Sequence, residues 1–440
     1  MKKKSGYTLS VIFSAVILLT SCVDMRSSSE TADYDDAAAA LKDTLYSSIA
    51  SAAGMDLPEG AELHTFTQGA LPPMERETNT VTLAPLSEPE DVYANVDISF
   101  VAAGDNLIHP NLYTDAYYRG TTEKRYDFLP LYANVASLIA DADFAFINQE
   151  TPMAGEAYGY SGWPTFNSPQ QLGLDMVEIG FDIISIANNH MLDKGASGYA
   201  STLDFWHSQP VTLIGGYYNA EDAAQIRTVE ADGITIALLS YTYGTNGISL
   251  PAGSEMVIPY IDDNLIVSDL AKARELADFI IVSIHWGTEN TQSITDEQVR
   301  LAQLIADNGA DVILGSHSHT LQPLTWLQSS TGEEVLCIYS LGNFVSGMSN
   351  PVNMVGGLLS FDIRGDGNNG LCVENVLFTP TVTYYGGDWY DTHIYLLPEY
   401  TDNIAATHGV QYNGGYLSPV KAKEYVTNVI PSDFLPDYMR

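Results

Sequence analysis

Short apolar runs that stop at metal-ligating side chains recur along this sequence, and they constrain the fold more than any other feature. Residues 183–187 (I-I-S-I-A) read as a buried strand, followed at once by Asn188, Asn189, His190 and Asp193. Residues 99–103 run into Gly104, Asp105 and Asn106, and residues 144–147 into Asn148, Gln149 and Glu150. Residues 279–284 run into His285, Trp286 and Gly287, and residues 312–314 into the G-S-H-S-H segment that carries His317 and His319. Strands of α/β proteins present their ligand-binding groups at their carboxyl ends. One such ending decides nothing. Five in chain order predict a metal site assembled along one sheet edge.

Between these runs lie helical patterns. Residues 130–143 place Leu131, Val135, Leu138, Ile139 and Ala142 on one face. Residues 169–180 begin with Pro169 and stop at Gly180, and residues 195–207 bury Tyr199, Leu203 and Trp206. Residues 262–277 and 295–308 follow, the latter with Thr295 as N-cap and Gly309 past its end. Residues 211–215 and 233–241 read as strands, and residues 335–341, 357–363 and 371–380 as strands of more antiparallel character. Alternating β and α followed by β-rich sequence argues for an α/β sandwich with its helices outside. The tyrosine-bearing tail, 381–440, has weak periodicity and reads as irregular or as an appended extension of the domain at 96–380.

The first 95 residues have a different character. Residues 1–21 read as a targeting segment, with Lys2, Lys3 and Lys4 ahead of an apolar stretch, 9–19, that is short for a membrane span. It ends in Leu19, Thr20, Ser21 and Cys22, which resembles the lipobox of bacterial lipoproteins. That resemblance implies cleavage before Cys22 and acyl chains on its sulfur, holding the chain on the outer face of a membrane. Residues 22–95 then read as the lipidated cysteine, a solvated tether, a helix-forming stretch at 37–53 and an irregular linker at 54–93.

Charge narrows the partners. The 440 residues carry a formal net charge of −37, and removal of the lysine-bearing leader makes the remainder more acidic still. Nucleic acid is disfavoured, because binding it takes basic patches, and so is polybasic attachment to anionic lipid. The three cysteines form no C-x-x-C zinc pattern. Cys337 and Cys372 read as two buried thiols or as one disulfide, and the sequence leaves the choice open.

The chemistry follows from the side chains. Asp and Glu supply anionic oxygens able to bridge two cations, Asn a neutral carbonyl oxygen, and His a nitrogen for borderline metals. A mixed oxygen and nitrogen set without thiolate points to one or two divalent ions of Mn, Fe, Zn or Mg rather than to a structural zinc. Two such ions about 3.5–4 Å apart activate a water and clamp an in-line phosphoryl displacement. Asp105, Glu150, Asn189, His285, His317 and His319 are the candidate ligands. His190 is the candidate acid, with Asp193 as the partner that orients it. Lys194, Trp286 and Asn343 are candidates for substrate contact. Their plainer readings are a solvated charge, a core aromatic and a strand-end turn former. Lys124 and Arg125 are cations near the motifs that could meet an anionic substrate, with surface charge as the default.

These segments, with N-Q-E-T-P at 148–152, A-N-N-H-M-L-D-K-G at 187–195, G-S-H-S-H-T-L-Q-P at 315–323 and S-L-G-N-F at 340–344, together resemble the CapA family of bacterial capsule or poly-γ-glutamate synthesis proteins. The family looks like a branch of the calcineurin-like metallophosphoesterases. The resemblance therefore implies a four-layer α/β/β/α sandwich with a dinuclear metal site. It implies Asp105 as the bridging carboxylate, Asn189 and His190 as ligand and leaving-group acid, His285 as an isolated ligand, and His317 and His319 as one ligand for each metal. Two positions depart from the phosphoesterase pattern. Leu107 stands where the first motif has histidine, with His109 nearby, and Asn148 or Glu150 must serve for the missing second aspartate.

The expected role is a lipid-anchored, extracytoplasmic protein acting in synthesis, export or attachment of an anionic capsule polymer, within a membrane synthesis complex. One alternative is a metal-dependent phosphoesterase acting on an extracellular phosphate ester. The other is a non-catalytic scaffold of that complex.

Overall fold

Strand Phe279–His285 is buried along its whole length, as a central strand of a parallel sheet covered on both faces must be. The computed structural model describes residues 92–367 and 370–440. The leader, Cys22, the 37–53 stretch and nearly all of the 54–93 linker lie outside these residues. At the linker's end, the Tyr93 hydroxyl donates to Asp278 at 2.9 Å.

In chain order the strands are β1 (Asp97–Leu107), β2 (Phe144–Asn148), β3 (Ile183–Ser185), β4 (Thr212–Ile214), β5 (Arg227–Ala231), β6 (Ile234–Thr242) and β7 (Phe279–His285). They continue with β8 (Val312–Ser316), β9 (Leu324–Gln328), β10 (Glu334–Ile338), β11 (Asn343–Ser346), β12 (Val355–Gly365), β13 (Leu371–Tyr384) and β14 (His393–Leu396). One sheet runs β14-β13-β12-β1-β2-β3-β4, with β11 beside the end of β1, and the other runs β5-β6-β7-β8-β10-β9. β1 to β4 are mutually parallel, as are β6, β7, β8 and β10. β12 and β13 are antiparallel, as their sequence suggested, and β14 adds to β13 in the same sense. The run at 335–341, expected to be antiparallel, is β10, which pairs antiparallel with β9 but parallel with β8, because it lies between the two in the second sheet.

Alternation along the strands builds the layers. β1 sends Ile98, Phe100 and Ala102 into a core shared with Ile236, Leu238, Phe279 and Ile281 of the other sheet. The intervening Val101 and Ala103 face Leu112, Leu172, Tyr199 and Leu203 on helices Pro110–Arg119, Gln171–Glu178 and Gly195–His207. On the second sheet, Ile280, Val282 and Ile284 meet Ile266, Leu270, Leu301 and Ile305 of helices Asp263–Leu276 and Asp296–Asp307. Period-two side chains on two stacked sheets thus give helix, sheet, sheet, helix, the expected α/β/β/α sandwich. Each buried Ile, Leu or Phe contributes about 1.5–3 kcal/mol of transfer free energy.

Local chemistry sets the ends. Helix Asp296–Asp307 opens on a capping box, in which Thr295 accepts the Gln298 N–H and Gln298 reaches back to the Thr295 N–H. The helix expected at 130–143 is instead two short turns, Leu129–Tyr132 and Ala136–Ala140. The break falls where the Asn134 amide donates to the Ile394 carbonyl on β14 at 2.9 Å, a long-range bond that outweighs local periodicity.

The tail is not irregular throughout. It adds β14 to the first sheet, and Tyr400, Val410, Leu417, Ala422, Val426 and Ile430 join the core between the sheets. Cys337 is buried in β10, Cys372 is partly exposed in β13, and both are free thiols.

Candidate metal centre

The parallel strands of both sheets end at one place. β1 delivers Asp105, the segment after β2 delivers Glu150, the turn after β3 delivers Asn189 and His190, β7 ends in His285, and the turn after β8 carries His317 and His319. Asp105, Glu150, Asn189, His285, His317 and His319 are all 3 % exposed or less, so each is removed from water. Two glycines permit the close approach. A Cβ on Gly104 would lie 2.0 Å from the Gly342 carbonyl oxygen, and one on Gly315 would lie 2.0 Å from that of Tyr339.

The histidine turn is strained and held. His317 (φ 94°) and His319 (φ 56°) both occupy left-handed backbone, which costs a non-glycine residue about 1–3 kcal/mol. Asp105 Oδ2 accepts the His317 N–H at 3.2 Å, and the Asn353 and Asn343 amides donate to the His319 carbonyl at 2.9 and 3.4 Å. These bonds come from three separate strands and turns, and together they hold the two rings inward.

The ligand atoms fall into two groups. Glu150, His285 and His317 form one and Asp105, Glu150 and His319 the other, each with its ligand atoms within 4.8 Å of one another. Glu150 belongs to both. In this geometry Glu150 is the carboxylate common to the two groups, the place that the resemblance gives to Asp105. Glu150 Oε1 lies 3.8 Å from His285 Nε2 and 3.7 Å from His319 Nε2, and neither of its oxygens has a hydrogen-bond partner. Asn189 Oδ1 meets His285 Nε2 at 3.0 Å, so it faces the first group. His317 Nδ1 and Asn148 Oδ1 are likewise buried and unpartnered.

Buried carboxylate oxygens without donors are costly, and a cation is the group that satisfies them. Burial pushes Glu150 well up from the usual carboxylate range, with Asp105 adding to it. Burial holds His285 well below its ordinary value, and burial with the neighbouring His319 and His190 holds His317 down to about 3, so both rings are neutral, the form that can ligate a metal. Burial also opposes charge on His319, but the Glu150 and Asp105 carboxylates outweigh it and raise the ring to about 10. Acidic oxygens and neutral imidazoles in this arrangement fit a divalent metal site.

His190 stands beside the cluster with its Nδ1 2.8 Å from Asp193 Oδ2, and the same oxygen accepts the Phe166 N–H at 2.6 Å. The Phe166 ring meets His190 edge-on at 4.8 Å. Asp193 is thus placed to orient the ring.

Several expectations are corrected. Trp286 is 1 % exposed, packs in the core under the second sheet and donates its indole N–H to the Tyr339 carbonyl, so it is a core aromatic and not a pocket wall. Asn343 is fully buried with its Oδ1 3.0 Å from His319 Nδ1, and it braces that ring rather than touching substrate. The Lys194 ammonium donates to Ser161 Oγ at 2.7 Å and ties down the loop that carries Phe166. Lys124 pairs with Asp127 and Asp175, and Arg125 with Glu156, so these cations are already engaged. His109 Nδ1 lies 3.1 Å from both the Leu107 carbonyl and the Gly347 N–H, and it belongs to neither ligand group.

Three residues escaped sequence reasoning. Tyr243 and Asn246 follow β6, which carries no ligand, yet they overhang the cluster. The Tyr243 ring lies 4.4 Å from His317, and Asn246 contacts both Asn189 (3.3 Å) and His190 (3.4 Å). The T-Y-G-T-N-G turn was the available signal. Asn353, which grips His319, sits in a turn with no marker.

The family described as "Bacterial capsule synthesis protein PGA_cap" matches residues 99–348. The chain is 32% identical over 170 residues to the PGA biosynthesis protein CapA of Bacillus subtilis (strain 168), covering 38% of this chain and 43% of that protein. It is 27% identical over 194 residues to the capsule biosynthesis protein CapA of Bacillus anthracis, covering 43% and 46%. The matches thus span less than half the length of these curated relatives. A calcineurin-like phosphoesterase from Bacillus subtilis, YfkN, superposes over 72% of this chain and 95% of its own at a TM-score of 0.39 and 14% identity.

Proposed function

The chain belongs to the bacterial capsule synthesis protein family PGA_cap, and from that premise we propose that it acts in synthesis, export or attachment of a capsule polymer, held by lipid on Cys22 at the outer face of a bacterial membrane. We further propose that it does so through a two-ion metal centre of phosphoesterase type. The observation that carries the second part is Glu150, a buried carboxylate common to both ligand groups and free of hydrogen bonds.

Asn189, Glu150, His285 and His317 would hold one ion, and Asp105, Glu150 and His319 the other. Divalent ions so held would supply Lewis acidity and would lower the pKa of a water nucleophile. The chain's own residues supply the rest. Asp193 faces His190 Nδ1, so Nε2 is the nitrogen offered to a substrate. In its protonated form that ring gives the proton to the leaving oxygen. Phe166 and Asp193 fix the ring's plane, Asn343 braces His319 and Asn148 braces Asp105. The scaffold alternative keeps the same ligands but demands no turnover.

The test is elemental analysis of the full chain, purified in detergent without chelator, beside Glu150→Gln. About two transition ions per wild-type chain and fewer than one in the variant support the two-ion centre. No ion in either, even after Mn or Zn is added, sinks it. Ions without hydrolysis across a phosphoester panel select the scaffold. Replacing Cys22 by Ser should release the chain from membranes, and retention there would overturn the lipid anchor.

A further inference from the structure

Away from the ligand cluster, aromatic rings from separate parts of the chain run together across one face. Tyr390 meets Tyr118 at 5.3 Å, Tyr118 meets Tyr117 at 6.1 Å, Tyr117 meets Tyr126 at 5.7 Å, and Tyr126 meets Tyr160 at 5.7 Å. Tyr117 and Tyr118 are 50 % and 67 % exposed. Three residues beyond Tyr160, Trp163 is 78 % exposed. Its loop lies against the start of helix Pro110–Arg119, since a Cβ on Gly162 would fall 2.5 Å from the Pro110 side chain. The same loop ends at Phe166, whose ring touches His190. Phe166 itself is buried, so the loop links the aromatic face to the candidate active site through the chain.

Such a tract needs a partner. Contiguous exposed aromatic surface marks an interaction site, and tyrosine offers a rigid flat face with a hydroxyl at its rim. Charge narrows what the partner is. The cations bordering the tract are paired, Lys124 with Asp127 and Asp175, and Arg125 with Glu156 while it lies 5.4 Å over the Tyr126 ring. A polyanion requires unpaired cations, and the chain as a whole carries −37. Sugar rings require none. Their C–H faces suit aromatic planes, and their hydroxyl edges suit tyrosine hydroxyls.

We propose that this face holds an uncharged polysaccharide chain, its sugar rings stacked on Tyr117, Tyr118 and Trp163. The proposal rests on the capsule-polymer reading and specifies the polymer as a glycan.

Affinity electrophoresis of the full chain in detergent, through gels containing mannan, laminarin, hydroxyethyl cellulose or poly-γ-glutamate, tests it. The wild type should be retarded by at least one of the three neutral polysaccharides and not by the polyglutamate. Tyr118→Ala with Trp163→Ala should weaken retention about tenfold or more, with ion content and melting temperature unchanged, because both side chains are exposed. Tyr118→Phe should keep most of the retention, since stacking needs the ring and not the hydroxyl. Retention by poly-γ-glutamate as strong as by any neutral chain, no retention by any of them, or a double variant that binds like wild type would each overturn the proposal. Cells lacking the chain that still make normal capsule, while gel retention persists, would instead sink the capsule reading and leave the sugar-binding face standing.

Discussion

Asp105 on one sheet accepts the backbone N–H of His317 on the other at 3.2 Å, across 212 positions of sequence. The same carboxylate accepts from the Asn148 amide at 2.7 Å and stands 3.2 Å from His319 Nδ1. It is thus an acceptor that holds the strained turn as well as a candidate ligand.

Those two duties separate by substitution. Asp105→Asn keeps an oxygen for the His317 N–H and removes the charge. It should melt within a few degrees of wild type while retaining only the ion held by Glu150, His285 and His317. Asp105→Ala leaves buried donors unpaired and should cost about 2–4 kcal/mol. Thermal unfolding with elemental analysis reads both. Equal melting of the two variants would show that the carboxylate does not hold the turn.

His190 lies outside both ligand groups. His190→Ala should therefore leave ion content intact and lower phosphoester turnover by about 10²–10⁴-fold, the usual worth of a positioned acid. Asp193→Asn should lower turnover too, through loss of ring orientation. Unchanged turnover in His190→Ala removes it from the acid role.

The overhanging turn should act on binding rather than on ion capture. Asn246 is exposed and sits at φ 50°, so Asn246→Gly removes its amide without backbone strain. We expect KM to rise about five- to tenfold, kcat to stay within about twofold and ion content to be unchanged. An equal fall in kcat and kcat/KM would place the amide in the transition state instead.

His408 sets an acid limit on stability. It is fully buried beneath Tyr384, Tyr385 and Tyr400, with Nδ1 2.8 Å from the Tyr400 hydroxyl and Nε2 unpartnered. Burial holds the ring down to about 3. The unfolded chain takes up this proton near its ordinary value of about 6.5 and the folded chain does not, so stability falls as pH drops below about 6.5. The slope is about 1.4 kcal/mol per pH unit, and above that pH the group contributes nothing. Between pH 7 and 5, wild type should lose about 2 kcal/mol more than His408→Gln in urea unfolding. Parallel losses in the two proteins would show that the ring is protonated in the fold.

Much of this was legible in the sequence because it is local. A strand's apolar run and the polar residue that ends it are neighbours in the chain, so Asp105, Glu150, Asn189, His285, His317 and His319 could be named without coordinates. The Thr295 cap and the order of β and α elements are equally local. Lys124, Arg125 and Lys194 lie near the motifs in sequence, but position says nothing about which acid or hydroxyl a long side chain will find.

What the sequence determined by itself is therefore the set of ligands and the layered class of fold. Tertiary structure alone decided the rest. Glu150 is common to both ligand groups because the packing of two sheets brings His285 and His319 to within 3.8 and 3.7 Å of the same oxygen. Trp286 and Asn343 face inward because each finds its hydrogen-bond partner, the Tyr339 carbonyl and the His319 ring, only once the layers are packed. The helix at 130–143 broke because one amide found a carbonyl 260 residues away. Tyrosines 117, 126, 160 and 390 share a face for the same reason: their distances depend on how layers stack, and no periodicity in the chain records that.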